Sequence, residues 1–169
     1  MLKFCFETLI IVVILLLIIE WIKFFTTRTQ PYILIDFDTL ADATAIYNRS
    51  IIYSKDDLQK QADYLIVHMS EQVPVPHGLR KAIDYIHRGY RLVFMTSRHE
   101  CLRIETAKFL NDWQLPGELY MNKGQTKFNF KHAVCCELRK RRVNIVGVID
   151  KDVDGNIMEL YRKFKMKVI

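Results

Sequence analysis

With 169 residues, the chain has room for one domain of ordinary size plus an appendage. Its formal net charge is +6, and in residues 1–26 Lys3 and Lys23 balance Glu7 and Glu20, so the whole excess lies in the remainder. A basic domain favours anionic partners, whether phosphorylated substrates, nucleic acid or an anionic membrane surface. The five histidines are scattered, the four cysteines lack metal spacing, and there is no Gly-rich phosphate loop, which leaves no case for a zinc cluster or a nucleoside-triphosphate kinase. Adjacent Cys135 and Cys136 would point apart on a helix and make a poor disulfide, in keeping with a reducing compartment.

The chain opens on an apolar run. Thr8–Ile19 is almost wholly aliphatic, and extended to Phe4–Phe25 the stretch has 22 positions interrupted only by Glu7, Glu20 and Lys23. At about 1.5 Å per residue this spans roughly the 30 Å hydrocarbon core of a bilayer. Trp21, Glu20 and Lys23 would mark one boundary. No small-x-small cleavage site follows, only Phe24-Phe25-Thr26-Thr27, so residues 1–26 are expected to form an uncleaved single-pass transmembrane anchor rather than a signal peptide. Residues 27–31 form a short linker, and the basic domain and reduced-looking cysteines place residues 32–169 on the cytoplasmic side.

Tyr32-Ile33-Leu34-Ile35 runs straight into Asp36, Phe37 and Asp38, a pattern for a strand buried on both faces of a parallel sheet. Ala41–Tyr53 has no clear period and reads as a loop. Ser54, with Asp57 three residues on, opens a helix whose apolar face is Leu58, Ala62, Leu65 and Met69. Val73-Pro74-Val75-Pro76 is an extended breaker. A helix through Leu79, Ala82, Ile83 and Ile86 ends at Gly89. Arg91–Met95 is a second buried strand, followed by Thr96-Ser97-Arg98. A helix through Ile104–Trp113, a short strand at Glu118–Met121, a helix over Thr126–Arg141, a strand at Val143–Ile149 ending in Asp150, a helix over Ile157–Phe164 and a short strand at Met166–Ile169 complete the chain. Strands alternating with helices predict an α/β fold, a Rossmann-like parallel sheet with helices on both faces, preceded by the transmembrane helix.

In open α/β sheets, ligands bind beyond the carboxyl ends of the strands. Asp36 and Asp38 fall there, and two carboxylates so close repel unless a cation lies between them; hard oxygen ligands suit Mg²⁺. One can attack phosphorus and the other exchange protons. A hydroxyl at Thr96 or Ser97 can donate to a phosphoryl oxygen, and Arg98 can grip phosphate in a fork. Taken singly, each of these features also reads as a polar cap or a solvated charge.

Together and in this order they resemble the four motifs of the haloacid dehalogenase superfamily of phosphatases. The resemblance covers roughly Tyr32–Ile169. It implies Asp36 as nucleophile, Asp38 as general acid/base, Thr96 and Lys131 as holders of the phosphoryl group, and Asp36, Asp38, Asp150 and Asp154 as Mg²⁺ ligands. Ser97, Arg98 and Lys127 fall to substrate binding, with Lys127 the alternate motif lysine one turn before Lys131. Arg98 resembles the nucleotidase and polynucleotide-phosphatase branches, so the expected substrate is a phosphorylated small molecule or nucleotide, with a nucleic-acid end as a further candidate. No large cap domain is expected, which leaves an open site. One departure stands out. The superfamily places Gly after its second aspartate, whereas here Thr39-Leu40 follows Asp38. The alternative reading is therefore a catalytically degenerate domain acting as a membrane-tethered binding module. Arg139-Lys140-Arg141-Arg142 is a basic run that could meet anionic lipid or nucleic acid, or simply end a helix.

Overall fold

The computed structural model describes residues 11–21, 30–55, 57–151 and 153–169, and divides into Met1–Gln30 and Pro31–Ile169. In the first unit, residues 11–21 form a helix, α1, with exposed apolar side chains. The rest of the expected anchor over residues 1–26 lies outside the described residues, as do Asp56 and Asp152. Among the described residues no helix is long and apolar enough to cross a membrane.

The second unit is built on a five-stranded sheet of order β5-β4-β1-β6-β7, with every neighbouring pair parallel. The strands are β1 (Tyr32–Asp36), β4 (Arg91–His99), β5 (Gly117–Asn122), β6 (Ile145–Ile149) and β7 (Lys167–Val168). A small antiparallel pair, β2 (Ala41–Asp42) and β3 (Val73–Pro74), stands apart. Side chains alternate across a strand, so β1 serves both faces. Ile33 and Ile35 pack with Leu79 and Ala82 of α4 (Pro76–His87) and Phe109 and Leu110 of α5 (Arg103–Asp112). Leu34 packs with Phe130, Val134 and Leu138 of α6 (Lys127–Lys140) and Ile157 and Tyr161 of α7 (Gly155–Lys163). Helices therefore cover both faces, which is why the strand runs are apolar throughout.

The region between β1 and β4 departs from expectation. Ala41–Tyr53 is not a loop: after β2 it forms α2 (Thr44–Ser54). This helix buries only Ile46, Ser50 and Ser54 and its entry residue Ala43 makes no side-chain cap, so neither amphipathic period nor cap marks it. Ser54 does not open the next helix. Its hydroxyl donates to Ile51 O at the end of α2, and Asp57 caps α3 (Leu58–His68) by accepting from Gln59 N at 3.0 Å and Lys60 N at 3.1 Å. The insert is thus a helical hairpin with its own small core of Ala43, Ile46, Leu65 and Met69 against Leu102 and Met121. It is small, as expected, but it walls one side of the sheet edge.

Candidate active site

The register brings the motif residues to one edge. Asp36 pairs with Met95, so Thr96 lies one residue beyond it on β4; Ile35 pairs with Ile149, so Asp150 follows on β6. β1 lies between two strands reached by crossovers in opposite directions, the switch point where α/β sheets bind ligands. Lys131, in the second turn of α6, reaches across from the helical layer. Its Nζ donates to Asp36 Oδ2 at 2.6 Å and to Asp150 Oδ2 at 2.5 Å, and its side chain is fully buried. Tyr161 of α7 donates its hydroxyl to the same Asp150 Oδ2 at 2.6 Å. Asp38 sits in a 3-10 turn, Phe37–Thr39, with its N–H directed at Asp36 Oδ1 at 3.4 Å. Thr39 fastens that turn by donating to Asp36 O at 2.7 Å.

Burial disfavours the charged form of Asp36, and with Lys131 pulling the other way but Asp150 and Asp38 adding repulsion, its carboxyl is pushed up to about 7. Burial alone would depress the Lys131 ammonium, but Asp36 and Asp150 outweigh it and hold its pKa above the ordinary value. Three carboxylates, Asp36, Asp38 and Asp150, meet Lys131 and Arg98 at this edge. Among the described residues no three acidic, His or Cys side chains form a ready-made metal cage. The donor set is nonetheless all carboxylate oxygen, which suits a hard divalent cation.

The expected substrate residues are placed differently from one another. Arg98 is 3% exposed. Its Nε and Nη2 meet Asp38 Oδ1 at 3.2 and 3.1 Å, Nη2 also donates to Ala41 O at 3.1 Å, and Nη1 reaches Gln72 Oε1 at 2.6 Å and Met69 Sδ at 3.6 Å. The guanidinium makes four hydrogen bonds, its Nη2 also lies in ion-pair range of Asp38, and it stacks over the Phe37 ring at 4.5 Å. In this arrangement Arg98 positions Asp38 rather than presenting an open fork. Thr96 is buried and accepts from Arg98 N at 3.2 Å, while Ser97 is exposed. Lys127 stands partly exposed in the first turn of α6, one turn from the site lysine. Asp154 caps α7, accepting from Ile157 N at 2.8 Å, and faces solvent.

Tyr161, Gln72 and Gly78 are site-supporting residues that sequence reasoning passed over. A tyrosine on an apolar helix face reads as core, and a lone glutamine carries no signal. Gly78 of α4 packs directly on the catalytic turn, where a Cβ would lie 1.9 Å from Thr39 O. The turn itself needs no glycine, since Thr39 is not at positive φ.

No family model and no curated protein matches the chain. Solved structures do. A haloacid dehalogenase-like family hydrolase from Streptococcus pneumoniae superposes with a TM-score of 0.58 at 14% identity, covering 84% of each chain. The fold is haloacid dehalogenase-like. A chain of the Pnkp1/Rnl/Hen1 complex superposes with a TM-score of 0.60 at 15% identity over 83% of this chain and 46% of that one. A second structure of that RNA repair complex gives a TM-score of 0.58 at 14% identity over 83% and 41%. This chain spans less than half the length of either of those two.

Proposed function

We propose that the protein is a phosphomonoester hydrolase held at a membrane by residues 4–25. The observation that carries this reading is Lys131, buried between Asp36 and Asp150 at the switch-point edge with Asp38 beside them. Asp36 Oδ1 attacks phosphorus while Lys131 holds Oδ2. The bond from phosphorus to the alcohol oxygen breaks, and Asp38 gives that oxygen its proton. Arg98 binds only Oδ1 of Asp38, which leaves Oδ2 for proton exchange. Asp38 then takes a proton from water, whose oxygen attacks the aspartyl-phosphate and releases Asp36 and inorganic phosphate. Asp36, Asp38 and Asp150 would hold Mg²⁺, which when bound supplies charge neutralisation for the phosphoryl oxygens. Lys127 and Ser97 stand near enough in sequence to serve the substrate, and Asp154 is kept as an outer candidate for the metal.

The solved-structure neighbours in an RNA repair complex make a nucleotide or nucleic-acid end one candidate substrate. Cys101 and Cys136 are exposed free thiols, which supports a cytoplasmic domain. The absent glycine and Lys151 beside Asp150 were the two grounds for a degenerate binding module, and a turn built without positive φ answers the first. The test is phosphate release from a phosphomonoester panel by the full chain, with Mg²⁺ and with chelator, against Asp36→Asn. Mg²⁺-dependent release lost in the variant supports the enzyme; no release from any monoester returns the binding-module reading. Resistance of the full chain to carbonate extraction from membranes tests the anchor.

A further inference from the structure

We infer that the alcohol released by this site is apolar, an alkyl or lipid-type phosphomonoester rather than a nucleotide. The inference rests on the phosphatase reading and names its substrate class. Asp38 borders a cavity of about 510 Å³ that runs between the helical insert and the end of β4, a volume within the roughly 300–1,000 Å³ range of small-molecule pockets. Its insert wall is Tyr47, Leu58, Ala62 and Leu65, with Leu102 opposite. The proton donor of the reaction therefore stands at one end of an apolar chamber, where the leaving alcohol must lie.

The two charged groups of that chamber, Asp38 and Arg98, bind each other. Arg98, its only Lys or Arg, is tied to Asp38, Ala41, Gln72 and Met69. His99 Nδ1 accepts from Cys101 N, and Gln61 donates to Ser50 Oγ at 3.4 Å. Within the chamber the backbone of a polynucleotide would meet no Lys or Arg beyond Arg98, and the stretch of Leu58, Ala62 and Leu65 offers the polar edge of a nucleobase no partner. The chamber instead opens at an apolar tip. Leu58 both lines it and is 79% exposed, and Ile51 and Ile52 stand 54% and 77% exposed at the end of α2. An alkyl chain can thus lie along Leu58, Ala62 and Leu65 with its oxygen towards Asp38.

The test uses the full chain in lipid vesicles without detergent and a series of water-soluble phosphates: ethyl, butyl and hexyl phosphate, a nucleoside monophosphate, a 3′-phosphorylated oligonucleotide and p-nitrophenyl phosphate. Each buried methylene should raise kcat/KM by about fourfold until the chamber is full. Ala62→Phe, which narrows the chamber, should flatten that slope. Binding of the same alkyl series to Asp36→Asn, followed by calorimetry, should show the same rise without turnover. A flat series alongside faster cleavage of the nucleotide or oligonucleotide would overturn the inference while leaving the phosphatase reading intact. Hydrolysis of nothing, p-nitrophenyl phosphate included, would end the phosphatase reading, and a flat calorimetric series would then reject the apolar site independently.

Discussion

Lys131 offers the sharpest physical test of the site, because its effect is felt on stability before any chemistry. Its ammonium is fully buried between two carboxylates, at 2.6 Å from Asp36 and 2.5 Å from Asp150. Lys131→Met keeps most of the unbranched stem and removes only the charge, leaving two buried carboxylates facing each other. Breaking a buried pair in this way costs about 3–5 kcal/mol. For a domain of this size that is a fall in Tm of roughly 10–20 °C. The sign of the pH dependence follows from the carboxylates. Without the lysine the folded-state pKa of Asp36 rises further, so the folded form holds a proton that the unfolded form has lost. That stability is present at low pH and disappears as pH rises through the folded pKa. The deficit of Lys131→Met should therefore be largest at pH 8 and shrink towards pH 5. Adding Asp36→Asn removes one of the two stranded charges and should recover part of the loss, a coupling that a double-mutant cycle reads directly. Thermal unfolding of the full chain in vesicles, with chelator present, gives all four values. A drop below about 3 °C at pH 8, or a deficit that grows on acidification, would refute the buried-triad account.

Asp36→Asn should lose turnover and yet gain stability in chelator above pH 7. The wild-type carboxyl is raised to about 7 from 3.8, so its stabilising proton is lost across that interval and the gain should fade as pH falls towards 4; circular dichroism melts across that range check it. Tyr161→Phe removes a hydroxyl donated to a buried carboxylate, a bond worth about 1.5–3 kcal/mol; the melt should fall accordingly and kcat should drop without vanishing. Gly78→Ala drives a Cβ into Thr39 O, an overpacking that costs about 1–3 kcal/mol; because Thr39 belongs to the turn that carries Asp38, kcat should fall more than an equally destabilising substitution far from the site, such as one on the exposed face of α5.

How much of this was readable beforehand depends on where each signal resides. The four long strands show as apolar runs because helices cover both faces, and Asp36 and Asp150 were identifiable as the polar residues that end them. Thr96 and Arg98 were found at the right place but within β4, which runs on to His99 where its register with β5 shifts. Lys127 and Lys131 lie one turn apart on one helix face, and only the packing of α6 against the sheet separates the buried one from the partly exposed one. Helix α2 was invisible because its apolar residues do not repeat at a helical period and its burial is supplied by α3. Gln72 and Gly78 matter through contacts with residues far away in sequence, which no local pattern encodes. Asp154 fits a ligand spacing and a helix cap equally well in sequence, and the structure puts its carboxylate on the α7 N-terminus.

Arg98 ties two functions into one. The same guanidinium holds the proton-exchanging Asp38 and binds Gln72, Met69 and Ala41, which belong to the segments entering and leaving the helical hairpin. The hairpin in turn forms the wall of the chamber that would receive the leaving alcohol. A shift of the hairpin therefore moves the contacts that aim Asp38, and a displaced Asp38 frees a buried cation at the hairpin's base. Leaving that charge unpaired is costly in so dry a setting, so the two positions are coupled by several hydrogen bonds rather than by a hinge. Substrate fit in the chamber and placement of the acid are then the same structural event. In the proposed reaction the alcohol is thus sensed through the residue that protonates it, which is where binding energy has to act if it is to raise kcat rather than only lower KM.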